Sequence, residues 1–568
     1  MKKYVKLILN NKKLLSYLII LFISIFACVP LFSKNMDIAR DDGIQHICRL
    51  IGNFNTLKEG NLFPVIMSDF CNGFGYSWNI FYSPLTAFLP LIFKIFCASF
   101  VTCLKLFMFF TMLLSGIFMY KLVYKISKSY KAGVISAIVY ICAPYHLTDL
   151  YSRIAIAELA SFVFLPIVFI GMYDLFYKNT KQTYFIAIGA IGLILSHNVI
   201  AVYTAVFCFI YLLINYKKLN NKNIIKSILI NIAIILLCTS FYWLPLLEHY
   251  FATSYEVFMP ERMFKNNTLI GSKLSLMDFF ITKPYNMNFH IGIPIMIGII
   301  LALIYRKKIK IRYRKTIIMF LIFGLTSIVM SSKLFPFEYL PSSLKMIQFA
   351  WRMMEFATFF LSIVCGIVIT MFINGNSKKE ALVTILLIIY ISIVIITSMT
   401  SVEIPFNEEN YLNPQPITSS TGRIHAGCAT FEYLPQKALK NRTYIETRTN
   451  DVIVLDGNVV IEEIHKENTN LTFKVNEVEE NTKLELPYIF YLGYSAKLER
   501  QDGTNESLKI EESDNGFCML TLTNVTEGKI SVSYTGTNLM KITYALTLLG
   551  VAGLIYFYCK KSHKKKVY

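Results

Sequence analysis

The sequence predicts a polytopic α-helical membrane protein with about twelve transmembrane helices and a C-terminal extracytoplasmic β-sandwich domain. Three observations predict it. Hydrophobic residues fill 55% of the 568 positions and charged residues only 16%, with a mean hydropathy of +0.51. A water-soluble domain cannot hide that much apolar surface. Lys and Arg gather in short clusters between apolar runs of about 20 residues, as cytoplasmic loops do. Residues 401–540 hold 21 Asp and Glu against 12 Lys and Arg, a net charge of −9, while the rest of the chain carries +29. The formal charge of +20 is therefore a topology signal, and no nucleic-acid partner is needed to explain it.

In chain order, Met1-Lys2-Lys3 precedes an apolar run from Leu14 to Phe32 that is long enough to span. Lys34 ends it without an Ala-x-Ala site, so it reads as an uncleaved signal anchor over 14–33. Further spans are predicted at 102–122, 131–146, 158–177, 183–196, 197–216, 224–246, 289–305, 315–332, 353–373, 380–399 and 541–559. The stretch 82–100 is apolar too, but it carries Lys94 and opens with Tyr82-Ser83-Pro84. The basic clusters at Lys2–Lys13, Lys121–Lys131, Lys178–Lys181, Lys217–Lys226, Arg306–Lys315, Lys378–Lys379 and Lys560–Lys566 share one side only if 82–100 lies in the outer interface without crossing. Both termini are then cytoplasmic. Of the fifteen carboxylates outside 401–540, only Asp174 and Glu380 fall at cytoplasmic span ends. The high Lys, Ile and Asn content fits an AT-rich bacterial genome, hence a bacterial plasma membrane.

Three domains follow: a multi-span domain over 1–400 with a first outer loop at 34–101, an extracytoplasmic β-rich domain over 401–540, and a final span with a basic cytoplasmic tail over 541–568. Strands are expected at Tyr444–Thr447, Val452–Leu455, Val459–Ile461, Leu471–Val475 and Ile530–Tyr534, with turns at Asp456-Gly457-Asn458 and Asp502-Gly503-Thr504. Most of the twelve cysteines fall inside spans, where Cys acts as a small hydrophobe. Two outer pairings stay open, Cys428 with Cys518 and Cys48 with Cys71, with free thiols the favoured reading for each. No spacing forms a zinc site.

The chemistry-bearing stretch is Arg40-Asp41-Asp42-Gly43-Ile44-Gln45-His46-Ile47-Cys48-Arg49, directly after the first span. As a helix it sets Asp42, His46 and Arg49 on one face, an acid, an imidazole and a fixed cation. That set suits deprotonating an acceptor beside an anionic donor. The bland alternative is a solvated loop with a local Asp–Arg pair. Other ionisable residues gather at the outer ends of spans: Arg153 and Glu158 after the third span, His197 at the break in 183–216, and Arg352 and Glu355 before the tenth. Charges at membrane depth are costly and usually functional. Their structural alternative is local pairing, Arg153 with Glu158 and Arg352 with Glu355.

Taken in order, these pieces resemble the GT-C superfamily of membrane glycosyltransferases, and within it the bacterial YfhO-like proteins and the membrane domain labelled "6-pyruvoyl-tetrahydropterin synthase-related". The matching pieces are Phe74-Gly75-Tyr76 with Phe81-Tyr82-Ser83-Pro84-Leu85, Tyr151-Ser152-Arg153 with Ala157-Glu158, Ser196-His197-Asn198, Gln348-Phe349-Ala350-Trp351-Arg352, Glu432-Tyr433-Leu434-Pro435, and Pro487-Tyr488 with Leu492-Gly493-Tyr494. The soluble pterin enzyme needs a three-histidine zinc site, which this chain does not supply. The resemblance implies a GT-C-like fold and a sugar delivered on a polyprenyl phosphate from the lipid bilayer to an extracytoplasmic acceptor. It gives Asp41 or Asp42 the role of general base or, as in some members, ligand to a divalent metal; no other cofactor is expected. Arg153, Arg352, His197, His46 and Arg49 are the candidates for the donor phosphate, with Glu158 and Glu355 supporting them. Two other classes stay open: a transporter or flippase for a lipid-linked envelope precursor, and a non-catalytic envelope assembly protein.

Overall fold

The computed structural model describes residues 11–563, apart from 34–35, 37, 39, 98, 178–182, 261–265, 283–286, 342–346, 399–427 and 429–430. Helices occupy each of the twelve segments where a span is predicted. Among the described residues, seven helices are long and apolar enough to cross a bilayer: Lys12–Phe32, Phe100–Ser127, Ile156–Tyr177, Tyr313–Ser331, Ala350–Ile373, Ser377–Ser398 and Asn538–Cys559. Two bent pairs raise this to nine if each is one span. Tyr130–Ile141 meets Pro144–Tyr151 at 45°, and Lys222–Cys238 meets Ser240–Ala252 at 67°. The remaining apolar helices among the described residues are shorter: Leu85–Ile95, Tyr184–Ser196, Asn198–Ile214 and Ile293–Tyr305.

The bundle packs around Ile156–Tyr177 and Ala350–Ile373, the most enclosed of the long helices. Phe162, Phe169, Phe356, Phe359 and Phe360 fill the space between them. Aromatic rings bury large areas, and their edge-to-face contacts lock neighbouring helices. Small residues allow close approach elsewhere: a methyl on Gly366 would meet Ser136 Oγ at 2.0 Å.

The stretch 82–100 forms a short helix, Leu85–Phe88, continued by a 3-10 turn, Leu89–Ile95. Leu89, Ile92 and Ile95 lie three apart on one exposed face, whereas Thr86, Ala87 and Pro90 are buried. Like Tyr184–Ser196 and Ile293–Tyr305, this stretch is shorter than a hydrocarbon core of about 30 Å.

The C-terminal region holds two antiparallel sheets. Strands β1 (Ile453–Asp456), β4 (Thr482–Ile489), β8 (Phe517–Leu522) and β7 (Ile510–Glu512) form the first, in that order. Strands β2 (Val460–Glu467), β3 (Asn470–Asn476), β9 (Gly528–Tyr534), β5 (Tyr494–Glu499) and β6 (Asn505–Leu508) form the second. Leu484, Leu486, Leu520 and Leu522 of the first share an apolar cluster with Phe473, Leu498, Ile530 and Val532 of the second. The strand expected at Tyr444–Thr447 is instead part of a helix, Arg442–Thr447. An Arg442–Glu446 pair (3.2 Å) favours it, and it delivers Arg448 to a fully buried ion pair with Glu485 (3.2 Å).

The first loop and this region form one body. Ile489 N donates to Phe74 O (2.9 Å), Asn72 Nδ2 to Ile445 O (3.0 Å) and Lys466 Nζ to Gly73 O (2.6 Å). Phe70, Phe74, Tyr76, Trp78 and Phe81 pack with Tyr255, Phe431, Tyr433, Tyr491 and Phe517 in a shared core. Neither of the two open cysteine pairings forms. Cys518 sits on β8 within the sheet core, and Cys71 faces Cys428 at 3.6 Å. At the opposite end of the bundle, Lys125 pairs with Asp174 and Lys131 with Glu380 (2.6 Å).

Candidate functional site

The polar residues that the sequence scatters over 300 positions meet at one end of the bundle. Asp42 caps the helix Gly43–Lys58, yet its side chain makes no capping bond. Its backbone N–H donates to Arg153 O (3.1 Å), which ties the first loop to the turn between Pro144–Tyr151 and Ile156–Tyr177. Gly43 leaves no room for a side chain there: an added Cβ would sit 1.9 Å from Ile38 O.

Arg153 is 4% exposed and reaches four carboxylates. Its Nη1 contacts Asp149 Oδ1 (2.6 Å) and Glu158 Oε1 (3.0 Å). Its other nitrogens approach Asp41 Oδ2 and Asp42 Oδ2, both at 3.9 Å. The guanidinium also lies 4.4 Å from the centre of the Trp351 ring. Glu158, in the first turn of its helix, is the second hub. Oε1 takes Arg352 Nε (2.9 Å) as well as Arg153 and faces His197 Nε2 at 3.7 Å, while Oε2 accepts from Tyr145 Oη (2.6 Å). Ile200 N donates to His197 Nδ1 (3.4 Å), so the imidazole proton sits on Nε2, toward Glu158. Arg352 Nη1 donates to Ile347 O (2.9 Å) and Gln348 Oε1 (3.3 Å). Of the two local pairs in the structural alternative, Arg153 with Glu158 forms, whereas Arg352 takes Glu158, 194 residues earlier, in place of Glu355. Glu355 instead accepts from Ser161, and its Oε2 is buried without a hydrogen-bond partner, as is Asp149 Oδ2.

Three non-glycine residues around this cluster adopt left-handed backbone: Asp41 (φ 50°), Ile154 (φ 51°) and Gln348 (φ 67°). For β-branched Ile154 that conformation is a true outlier, and each costs on the order of 1 kcal/mol. Such strain persists only where surrounding contacts impose it.

Charge divides the site. Asp149 and Glu158 balance Arg153 and Arg352, while Asp41 and Asp42, each 42% exposed at the side chain, add two acids at the mouth. Partial burial, with Asp42 beside it, pushes the Asp41 carboxyl up to about 6. Burial also raises Asp42, against the pull of Arg153. Among the described residues, no three His, Cys, Asp or Glu side chains are arranged to hold a metal ion.

Arg49 and His46 share the predicted helix face but not the Glu158 cluster. Arg49 lies 4.1 Å from the centre of the Tyr82 ring and 6.0 Å from that of Tyr433, with Glu432 at 3.7 Å. Among the described residues its buried Nε has no hydrogen-bond partner. Burial, with Arg49 and Arg153 nearby, pushes the His46 imidazole well below its usual range, so it is neutral at pH 7. Asp149, Tyr145, Trp351, Tyr82, Glu432 and Tyr433 join the site beyond the predicted set. For Asp149 the signal was its spacing, four residues before Arg153.

A relative from Lactococcus lactis subsp. cremoris (strain MG1363), an uncharacterised protein, is 24% identical over 97% of this chain and 96% of its own length. The family model described as "6-pyruvoyl-tetrahydropterin synthase related domain; membrane protein" matches residues 80–404, which include Arg153, Glu158, His197 and Arg352 but not Asp41 or Asp42. The chain belongs to this family of membrane proteins.

Proposed function

We propose that this protein is a membrane glycosyltransferase that moves a sugar from a polyprenyl-phosphate donor to an acceptor on the outer side of a bacterial plasma membrane. The observation that carries the reading is the Asp41-Asp42 turn standing 3.9 Å from the guanidinium of Arg153. A carboxylate raised to about 6 suits a general base near neutral pH. It takes the proton of an acceptor hydroxyl as that oxygen bonds to the sugar's anomeric carbon. The bond from that carbon to the donor phosphate breaks, and the phosphate leaves with the electron pair. Arg153 and Arg352 are fixed cations able to stabilise it, and their carboxylate partners keep them aligned without solvent. His197 offers an N–H to the same region. Arg49, with Tyr82, Glu432 and Tyr433, suits the acceptor side of the doublet. The outward placement of this end, the twelve crossings and the cytoplasmic termini belong to the same reading.

The two bent helix pairs favour a second reading, because broken helices recur at transporter binding sites. A transporter or flippase for a lipid-linked precursor would use the same polar cluster. Intact cells of a deletion strain, treated with a membrane-impermeant periodate reagent before their lipids are extracted, separate the two. A transferase defect accumulates the polyprenyl-phosphate sugar on the outer leaflet, whereas a flippase defect traps it on the inner one. No accumulation of any lipid-linked sugar would remove both readings.

A further inference from the structure

Cys71 and Cys428 come from opposite ends of the chain, 357 residues apart, and bring their sulfurs to 3.6 Å. Both are buried, at 0% and 1% exposure. Cys71 sits in a tight turn of the first loop, where it and Asn72 both hold left-handed backbone (φ 53° and 58°). Cys428 lies just before Phe431-Glu432-Tyr433. Its carbonyl accepts from Tyr76 Oη (3.3 Å), and the same hydroxyl accepts from Tyr433 N (3.1 Å). The two cysteines are therefore held on either side of the seam between the first loop and the segment that carries Glu432 to Arg49.

We propose that Cys71 and Cys428 form a disulfide in the mature protein, stapling the first loop to the Glu432-Tyr433 segment. The inference rests on the outward placement of this end, where disulfides persist. Closing from 3.6 Å to about 2.05 Å takes a small side-chain rotation. The step is thiol–disulfide exchange with the disulfide of an extracytoplasmic dithiol oxidase. One cysteine attacks to give a mixed disulfide, the second displaces the oxidase, and two thiols on the oxidase carry away the two electrons and two protons. Exchange takes place before the seam closes, and burial then shields the bond from reductant. A bond that closes so long a loop removes much unfolded-state freedom. It also fixes Glu432 and Tyr433 against Arg49.

Trypsin sites give a direct test. Cys48 falls in the peptide Asp41–Arg49, Cys71 in Glu59–Lys94 and Cys428 in Ile424–Lys437. Full-length protein is taken from native membranes without reductant, denatured in an alkylating reagent, digested and examined by mass spectrometry. The expected product joins Glu59–Lys94 to Ile424–Lys437, separates on reduction, and leaves Cys48 alkylated. Alkylated Cys71 and Cys428, or Cys428 joined to Cys48, would overturn the proposal. A Gln501→Cys variant, probed in whole cells with a membrane-impermeant maleimide, reports independently on which side this region faces. Labelling with free Cys71 and Cys428 defeats the disulfide alone, whereas absence of labelling defeats the outward placement. Cys71→Ser, Cys428→Ser and the double variant should lower the melting temperature by the same amount, several degrees, because each removes the same bond. Additive losses in the double variant would contradict a shared bond.

Discussion

Around Glu158, charge is matched and geometry is tight: two arginines at 2.9 and 3.0 Å, a tyrosine at 2.6 Å, and Asp149 completing the balance on Arg153. Around Asp41 and Asp42, the ion pairs to the same arginine stretch to 3.9 Å, the side chains stay part-exposed, and the Asp42 side chain makes no capping bond. The two regions share Arg153 and divide the labour. A buried cluster of closely matched charges holds its cations in place, while a loosely paired doublet of acids at its edge keeps lone pairs for a proton. The difference implies that damage to the first should be read in stability and damage to the second in turnover.

The largest effect is expected at Glu158. Removing its carboxylate in Glu158→Ala leaves Arg153 and Arg352 buried with too few partners, at a cost of about 3–5 kcal/mol. The yield of monodisperse protein and its melting temperature should collapse, and a normal melting curve would break the comparison at its first half. Asp41→Asn and Asp42→Asn should melt as the parent does, since neither carboxylate is tightly paired. At least one should lose transfer activity by on the order of a hundredfold or more. Pronounced unfolding in both would assign the turn to structure instead.

The acidity of the doublet sharpens the contrast. With a carboxyl raised to about 6, the base is active only when deprotonated, so turnover should fall about tenfold per unit as pH drops below 6 and level off above 7. A flat profile between pH 5 and 7 would remove Asp41 from the role. The smallest effects are expected from Arg153→Lys and Arg352→Lys, which keep the charge and lose the planar fork. The Michaelis constant for donor should rise by roughly tenfold, less than for either Ala variant. An unaltered donor constant in all four would leave these arginines a purely structural task.

Much of this arrangement was legible in the sequence where the signal is periodic or local. Apolar runs located the helices, alternating runs located four of the nine strands among the described residues, and the spacing of Asp42, His46 and Arg49 gave one helix face that the helix Gly43–Lys58 realises. Pairing across long separations left no such trace. Arg352 has Glu355 three residues away but takes Glu158, 194 residues earlier, because the two helices cross where their buried ends meet. Arg49 reaches Glu432, and Cys71 reaches Cys428, only because the first loop and the C-terminal region share one apolar core. The Arg442–Thr447 helix was masked by alternating residue types that fit a strand equally well.

The central claim is that the exposed acid pair, and not the buried cluster alone, performs the transfer. Cells lacking the gene, complemented by the parent or by the Asp41→Asn/Asp42→Asn double variant at matched protein level, test it through the amount of polyprenyl-phosphate sugar in their lipid extracts. The parent should clear the accumulated lipid, and the double variant should leave it as high as in the deletion strain. Full clearance by the double variant would contradict the account.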